Sequence, residues 1–164
     1  NDIKKKLKKP VENKNTNLFF WGKSLIPIHY ISNSADRFSF YTKIHFAKKE
    51  DDFKNIREEM NDRYGQIPEE TTSFINLAKL KLLYRGSLVK HITINKESLV
   101  FKLPRKIVSG IDQLVPRVLS YKSSFVVEKK FKEEPGFVSV FFLTNRGCDW
   151  YKELTSCNSL FYKS

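Results

Sequence analysis

The chain has 164 residues, with 30 Lys and Arg against 18 Asp and Glu, for a formal net charge of +12. A chain of this length folds as one domain and removes roughly 70% of its unfolded surface from water. No run of about 18 apolar residues and no signal peptide are present, so neither a transmembrane helix nor an exported product is expected.

Residues 1–9 are rich in Lys, with only Ile3 and Leu7 as apolar anchors. They read as the end of a helix belonging to something upstream, and the missing initiator Met agrees with a piece of a longer protein. Pro10 stops that helix, and residues 11–17 are polar and linker-like. Leu18 to Trp21, LFFW, can pair as a short strand, which Gly22 breaks. Residues 25–31, LIPIHYI, are extended, because Pro27 lacks an amide donor and steers Ile26 away from the helical region. Burial is expected for Leu25, Ile28 and either Tyr30 or Ile31.

Ser34 or Asp36 caps the next helix, near residues 37–48, whose apolar set is Phe38, Tyr41, Ile44 and His45, widened by Phe40 and Ala47. Asp51 and Asp52 suit a helix N-terminus, where carboxylates meet orphan amides. The helix from about 52 to 64 places Phe53, Ile56, Met60 and Tyr64 on one face. Gly65 stands where a left-handed cap belongs, and Pro68 fits the first turn of the following helix. That helix runs to about residue 85. Phe74, Leu77, Ala78, Leu80, Leu82 and Tyr84 wrap more than one of its faces, which predicts a central position; Gly86 ends it.

The apolar period then changes from 3.6 to 2. Residues 88–94 and 99–103 flank a loop at 95–98 and read as a hairpin. Ile107, Ile111, Leu114 and Val118 form a helical stripe, which Pro116 should end or kink near Leu114. Residues 125–131 and 137–143 form a second hairpin around Pro135-Gly136, and Asn145 caps a last helix bearing Trp150, Tyr151 and Leu154. The fold class is α+β: a helical N-terminal half, and two antiparallel β-hairpins forming a small sheet packed against helices.

No pattern carries catalysis. There is no phosphate-binding glycine loop, nucleophile elbow or metalloprotease helix. His29, His45 and His91 are scattered, and Cys148 and Cys157 have no companion at metal-ligand spacing. Free thiols in a reducing cytoplasm are expected, with no cofactor and no metal. The basic excess points to nucleic acid or an acidic partner, or to AT-rich coding that raises Lys, Asn, Phe and Ile together. Adjacent carboxylates such as Glu58 and Glu59 point to different sides of a helix. Glu59 and Asp62, at i and i+3, share one face, opposite the Phe53–Tyr64 stripe. They are either a contact point for a basic partner or a wet face with local ion pairs; Arg63 is adjacent and points elsewhere. Phe125, Phe131, Phe141 and Phe142 with Lys129 and Lys130 form either a single-strand-binding platform or a core-facing hairpin.

The string from Glu59 to Pro68, EMNDRYGQIP, resembles the E-x-x-D-R-[FY]-G-x-x-P signature of the C-terminal (TRCF) domain of bacterial transcription-repair coupling factor. Leu77-Ala78-Lys79-Leu80 continues the likeness. Upstream, LIPIHYI followed by Arg37 and Tyr41 is similar to the family's L-I-P-x-x-Y-I and R-x-x-x-Y, with Ile28 where an acidic residue is usual. The resemblance implies a linker and helix end over residues 1–24 and the domain proper over 25–164. It implies a parent that is an ATP-driven double-stranded DNA translocase, pushing stalled RNA polymerase and recruiting the excision-repair protein UvrA. The domain itself would be non-catalytic and monomeric. It would fold back on the UvrB-like N-terminal module and mask its UvrA-binding surface. UvrA and RNA polymerase would be indirect partners, with DNA reached through the parent. Glu59 and Asp62 would meet basic residues of the N-terminal module, while Arg63, Tyr64, Gly65 and Pro68 would be the structural part of the motif. A basic nucleic-acid-binding module is the alternative.

Overall fold

The switch of period after Gly86 becomes a sheet. In the computed structural model, which describes residues 14–106 and 111–163, β2 (His91–Ile94) and β3 (Ser98–Pro104) form the first hairpin. Strands β4 (Val126–Glu134) and β5 (Phe137–Thr144) form the second. Gly136 closes that hairpin at φ 78°, a conformation that side chains resist. The LFFW run pairs as expected: β1 (Asn17–Phe20) lies parallel to β2. It adds an edge to the two hairpins, giving a five-stranded mixed sheet in the order β1-β2-β3-β5-β4.

The helices are α1 (Ser34–Phe46), α2 (Glu50–Tyr64), α3 (Glu69–Tyr84), α4 (Ile111–Ser120) and α5 (Trp150–Cys157), the last running into a 3₁₀ turn at Asn158–Phe161. Alternation along the strands puts Ile92, Ile94, Leu99, Phe101, Leu103, Val140 and Phe142 on one face. They pack with Leu80 and Tyr84 of α3, Leu114 and Val118 of α4, Leu154 and Cys157 of α5, and Phe161. A second cluster unites Phe40, Ile44 and Ala47 with Phe53, Ile56 and Met60 of α2, Ile75 of α3, and Ile26 and Ile31. Helix α3 contributes to both, which is the central position that its wrapped apolar residues called for.

Several local details differ from expectation. The cap of α1 is Asn33, whose Oδ1 accepts from the Asp36 amide at 3.0 Å. Phe38 is 73% exposed and His45 is also outside. Residues 40, 44 and 47 are the ones that turn toward Ile26 and α2, and 38 and 45 lie on the far side of the helix. In the 25–31 segment, Ile26 and Ile31 are buried while Leu25 and Ile28 face out. The Pro27 carbonyl accepts from the amides of Tyr30 and Ile31, and that turn interrupts the extended alternation. Helix α4 continues through Pro116 to Ser120. The helix tolerates the missing amide because Leu114 and Val118 lock its inner face, while the Arg117 guanidinium donates to the Tyr162 carbonyl at 3.0 Å. The last helix is capped by Asp149, not Asn145. The Asn145 amide instead donates to the Phe125 carbonyl at 2.9 Å, tying the second hairpin at its open end. Pro68 sits at the cap of α3, one residue ahead of its first turn, and its carbonyl accepts from Thr71 and Thr72. Gly65 has the expected positive φ, 84°, but its ψ of −163° lies outside the left-handed helical region. Ile107 and the upstream helix end at residues 1–9 lie outside the described residues.

Candidate protein-interaction site

The EMNDRYGQIP string closes α2 and turns into α3. Phe53, Ile56 and Met60 anchor the inner face of α2 at spacings of 3 and 4. At its start, Asp52 Oδ2 accepts from the amides of Lys48 and Lys49 at 2.9 and 3.0 Å, and these bonds hold its carboxyl below the usual range. At its end, the Gly65 amide returns to the Asn61 carbonyl. The Tyr30 hydroxyl sits over this corner, within hydrogen-bonding distance of the carbonyls of Gly65 (2.8 Å) and Met60 (3.1 Å). Tyr64 packs edge-on against Tyr30 and Phe40 and donates its hydroxyl to Asp36 Oδ2 at 3.1 Å. Tyr64, Gly65 and Pro68 lie together at this corner between α2 and α3.

The two carboxylates singled out in the sequence have different surroundings. Glu59 points to the seam between α1 and α2. Lys43 Nζ reaches Glu59 Oε2 at 2.9 Å, and Arg63 reaches Oε1 at 3.2 Å. Hydrogen bonding from Lys43, more than from Arg63, holds the Glu59 carboxyl below its ordinary value. Arg63 therefore joins the site, turning one helical turn back to Glu59 and lying 3.8 Å from Asp36. Both cations lie over the Phe40 ring, Lys43 at 5.0 Å and Arg63 at 5.7 Å. This lattice bridges two helices whose partner residues are far apart in sequence, so the Lys43 bond had no local signal.

Asp62 is exposed and forms no ion pair or side-chain hydrogen bond among the described residues. The site is therefore one satisfied carboxylate beside one open carboxylate. Its charges are partly solvated, with side chains 37–47% exposed for Glu59, Lys43 and Arg63.

The aromatic platform divides. Phe142 is in the core, Phe131 packs against it, and Lys129 Nζ turns back to the carbonyls of Leu119 and Tyr121. Of the six candidates, Phe141 and Lys130 share the opposite face of the sheet, as their register shows. His29 and His45 are exposed and His91 is half-buried, with its pKa lowered by burial and then by Lys102 and Lys90. Cys157 is buried and its thiol is pushed up to about 12 by that burial, while Cys148 is half-buried. Among the described residues no cluster of His, Cys, Asp and Glu could hold a metal ion, and no helix is long and apolar enough to cross a membrane.

The TRCF domain family matches residues 22–114, more than half of the chain. The transcription-repair-coupling factor of Borreliella burgdorferi is 41% identical over 58 residues, covering 35% of this chain and 5% of that protein. That of Buchnera aphidicola subsp. Acyrthosiphon pisum is 31% identical over 93 residues, covering 57% of this chain and 11% of that protein. That of Rickettsia typhi is 24% identical over 107 residues, covering 65% of this chain and 9% of that protein. The chain thus spans 5–11% of the length of these relatives. A crystal structure of the C-terminal domain of transcription-repair coupling factor superposes with a TM-score of 0.67, covering 90% of this chain and 91% of that one, at 14% identity. At that identity the superposition speaks to the fold. The family match and the motif it contains agree with it: the chain belongs to the TRCF domain family, the C-terminal domain of transcription-repair coupling factor.

Proposed function

We propose that this domain is a non-catalytic regulator that folds back on a UvrB-like N-terminal module of its parent and covers the surface that binds UvrA. The parent, in this reading, is an ATP-dependent DNA translocase that couples stalled RNA polymerase to excision repair. Residues 25–164 are the domain, and residues 1–24 connect it upstream while lending β1 to the sheet. The observation that carries the reading is Asp62, an exposed carboxylate on the outer face of α2 with no ion-pair or side-chain hydrogen-bond partner among the described residues. It sits one turn from Glu59. A basic side chain of the partner could meet Asp62 without breaking any bond of the domain. At Glu59 it would have to share the carboxylate with Lys43 and Arg63. Partly solvated pairs of this kind are worth about 0–1 kcal/mol each. Such a latch holds when several act together and yields when a competing interaction shifts the balance.

The test is charge reversal in the full-length protein. Asp62→Lys removes a contact made only with the partner, and Glu59→Lys plus Asp62→Lys removes both. Each is expected to raise UvrA binding, measured by titration against immobilised UvrA, while circular dichroism of the domain stays unchanged. If the double variant still hides the UvrA-binding surface, these carboxylates are not the latch.

A further inference from the structure

We propose that the face of the sheet turned away from the described helices of its apolar cluster binds a single strand of nucleic acid, stacking bases on Phe141 and Phe19 and holding phosphates with Lys102, Lys130 and Lys132. The helical members of the sheet's apolar cluster all meet the Ile92 face. The opposite face takes the alternate residue of every strand. Register aligns one row across it as Phe19, Thr93, Val100, Phe141 and Lys130, and a second as Asn17, His91, Lys102, Ser139 and Lys132. Phe19, Val100, Phe137 and Phe141 belong to neither apolar cluster. Phe19 is 54% exposed on the edge strand.

Aromatic faces on a sheet whose helices sit behind it, with cations among them, are what a flexible strand of stacked bases requires. Phe19 and Phe141 lie three strands apart in one row, about 14 Å, a span of two or three nucleotides. Lys102 Nζ is 5.0 Å from the Phe137 ring centre, so a cation already sits beside an aromatic face. The lysines outnumber the carboxylates here. Glu134 serves both Lys102 at 3.2 Å and Lys132 at 3.8 Å, and Glu128 lies 3.8 Å from Lys130. At 3.8 Å the last two contacts are too long for hydrogen bonds, which leaves Lys130 and Lys132, 59% and 67% exposed, able to swing to a phosphate. Ser139 stands between Lys102 and Lys132 yet is 3% exposed, beneath the reach of a ribose hydroxyl. The chemistry recognised is therefore base face and phosphate, common to DNA and RNA. None of these residues belongs to the Glu59 and Asp62 site.

The experiment is fluorescence anisotropy of the chain with a labelled oligothymidine, at salt from about 50 to 200 mM. Binding is expected at the low end, falling with salt at a log–log slope of about −2 for three phosphate contacts. Phe141→Ala should weaken binding about 5- to 100-fold and leave that slope unchanged. Lys130→Gln with Lys132→Gln should bring the slope to about −0.7. Phe19→Ala, on the edge strand, tests the same stack should Phe141→Ala disturb folding by circular dichroism. DNA and RNA of one sequence should bind within about tenfold of each other. No binding at about 50 mM salt, indifference to both aromatic substitutions, or a larger sugar preference would each overturn the proposal.

Discussion

Replacing Gly65 isolates one term of the energetics of the corner. Gly65 sits at φ 84° and ψ −163°. That region is essentially closed to residues with a Cβ, at a cost of about 1–3 kcal/mol. A Cβ added there would meet no atom within 4 Å, so neither clash nor repacking contributes. Alanine also loses less freedom on folding than glycine, which returns about 0.4–1 kcal/mol. Gly65→Ala should therefore destabilise by about 1–2 kcal/mol net. Asparagine, which tolerates the left-handed helical region, should give no rescue because the ψ here is elsewhere. Urea unfolding followed by circular dichroism should show a lower midpoint at unchanged slope. The melting temperature should fall by about 2–8 °C for a chain of this size. An asparagine variant within about 0.5 kcal/mol of wild type, beside a costly alanine, would place Gly65 in the left-handed region and refute the reasoning.

Glu59→Gln should cost no more than about 1 kcal/mol, since the carboxylate is 37% exposed and its ion pairs are screened. Its folded pKa is lowered, so the stabilisation is present above the ordinary carboxylate value of about 4.3 and fades as pH falls through the lower folded value. The stability gap between wild type and variant should therefore close in acid, and a gap constant from neutral pH downward would contradict the Lys43 pairing. Tyr84→Phe removes a fully buried hydroxyl that donates to the Leu154 carbonyl at 2.6 Å. Chemical denaturation should register a loss of about 1–2 kcal/mol, and a neutral substitution would mean that the carbonyl finds another donor.

What the sequence revealed was what local spacing encodes. Phe53, Ile56, Met60, Gly65 and Pro68 define α2 and its corner within one short window, and Pro135-Gly136 marks the second hairpin. Errors came where the deciding contact lies far away. Periodicity marked Phe38 and His45 as a stripe of α1, but the helix is oriented by Ile26, Ile31 and α2. The partner of β1 is more than 70 residues downstream. In β4 a register irregularity between Val126 and Glu128 intervenes before the strand settles, and register decides which aromatics face out. The i, i+3 spacing brought Glu59 and Asp62 to notice, while the bond from Lys43, which makes them unlike, depends on how α1 packs on α2.

Helix α3 has a role beyond geometry. Leu80 and Tyr84 are rooted in the sheet cluster, and Ile75 in the helical one. Neither half can open without stripping one flank of this helix and weakening its hold on the other half. The two clusters are therefore expected to melt as one cooperative unit, and hydrogen exchange should find the amides of α3 the slowest to exchange with solvent.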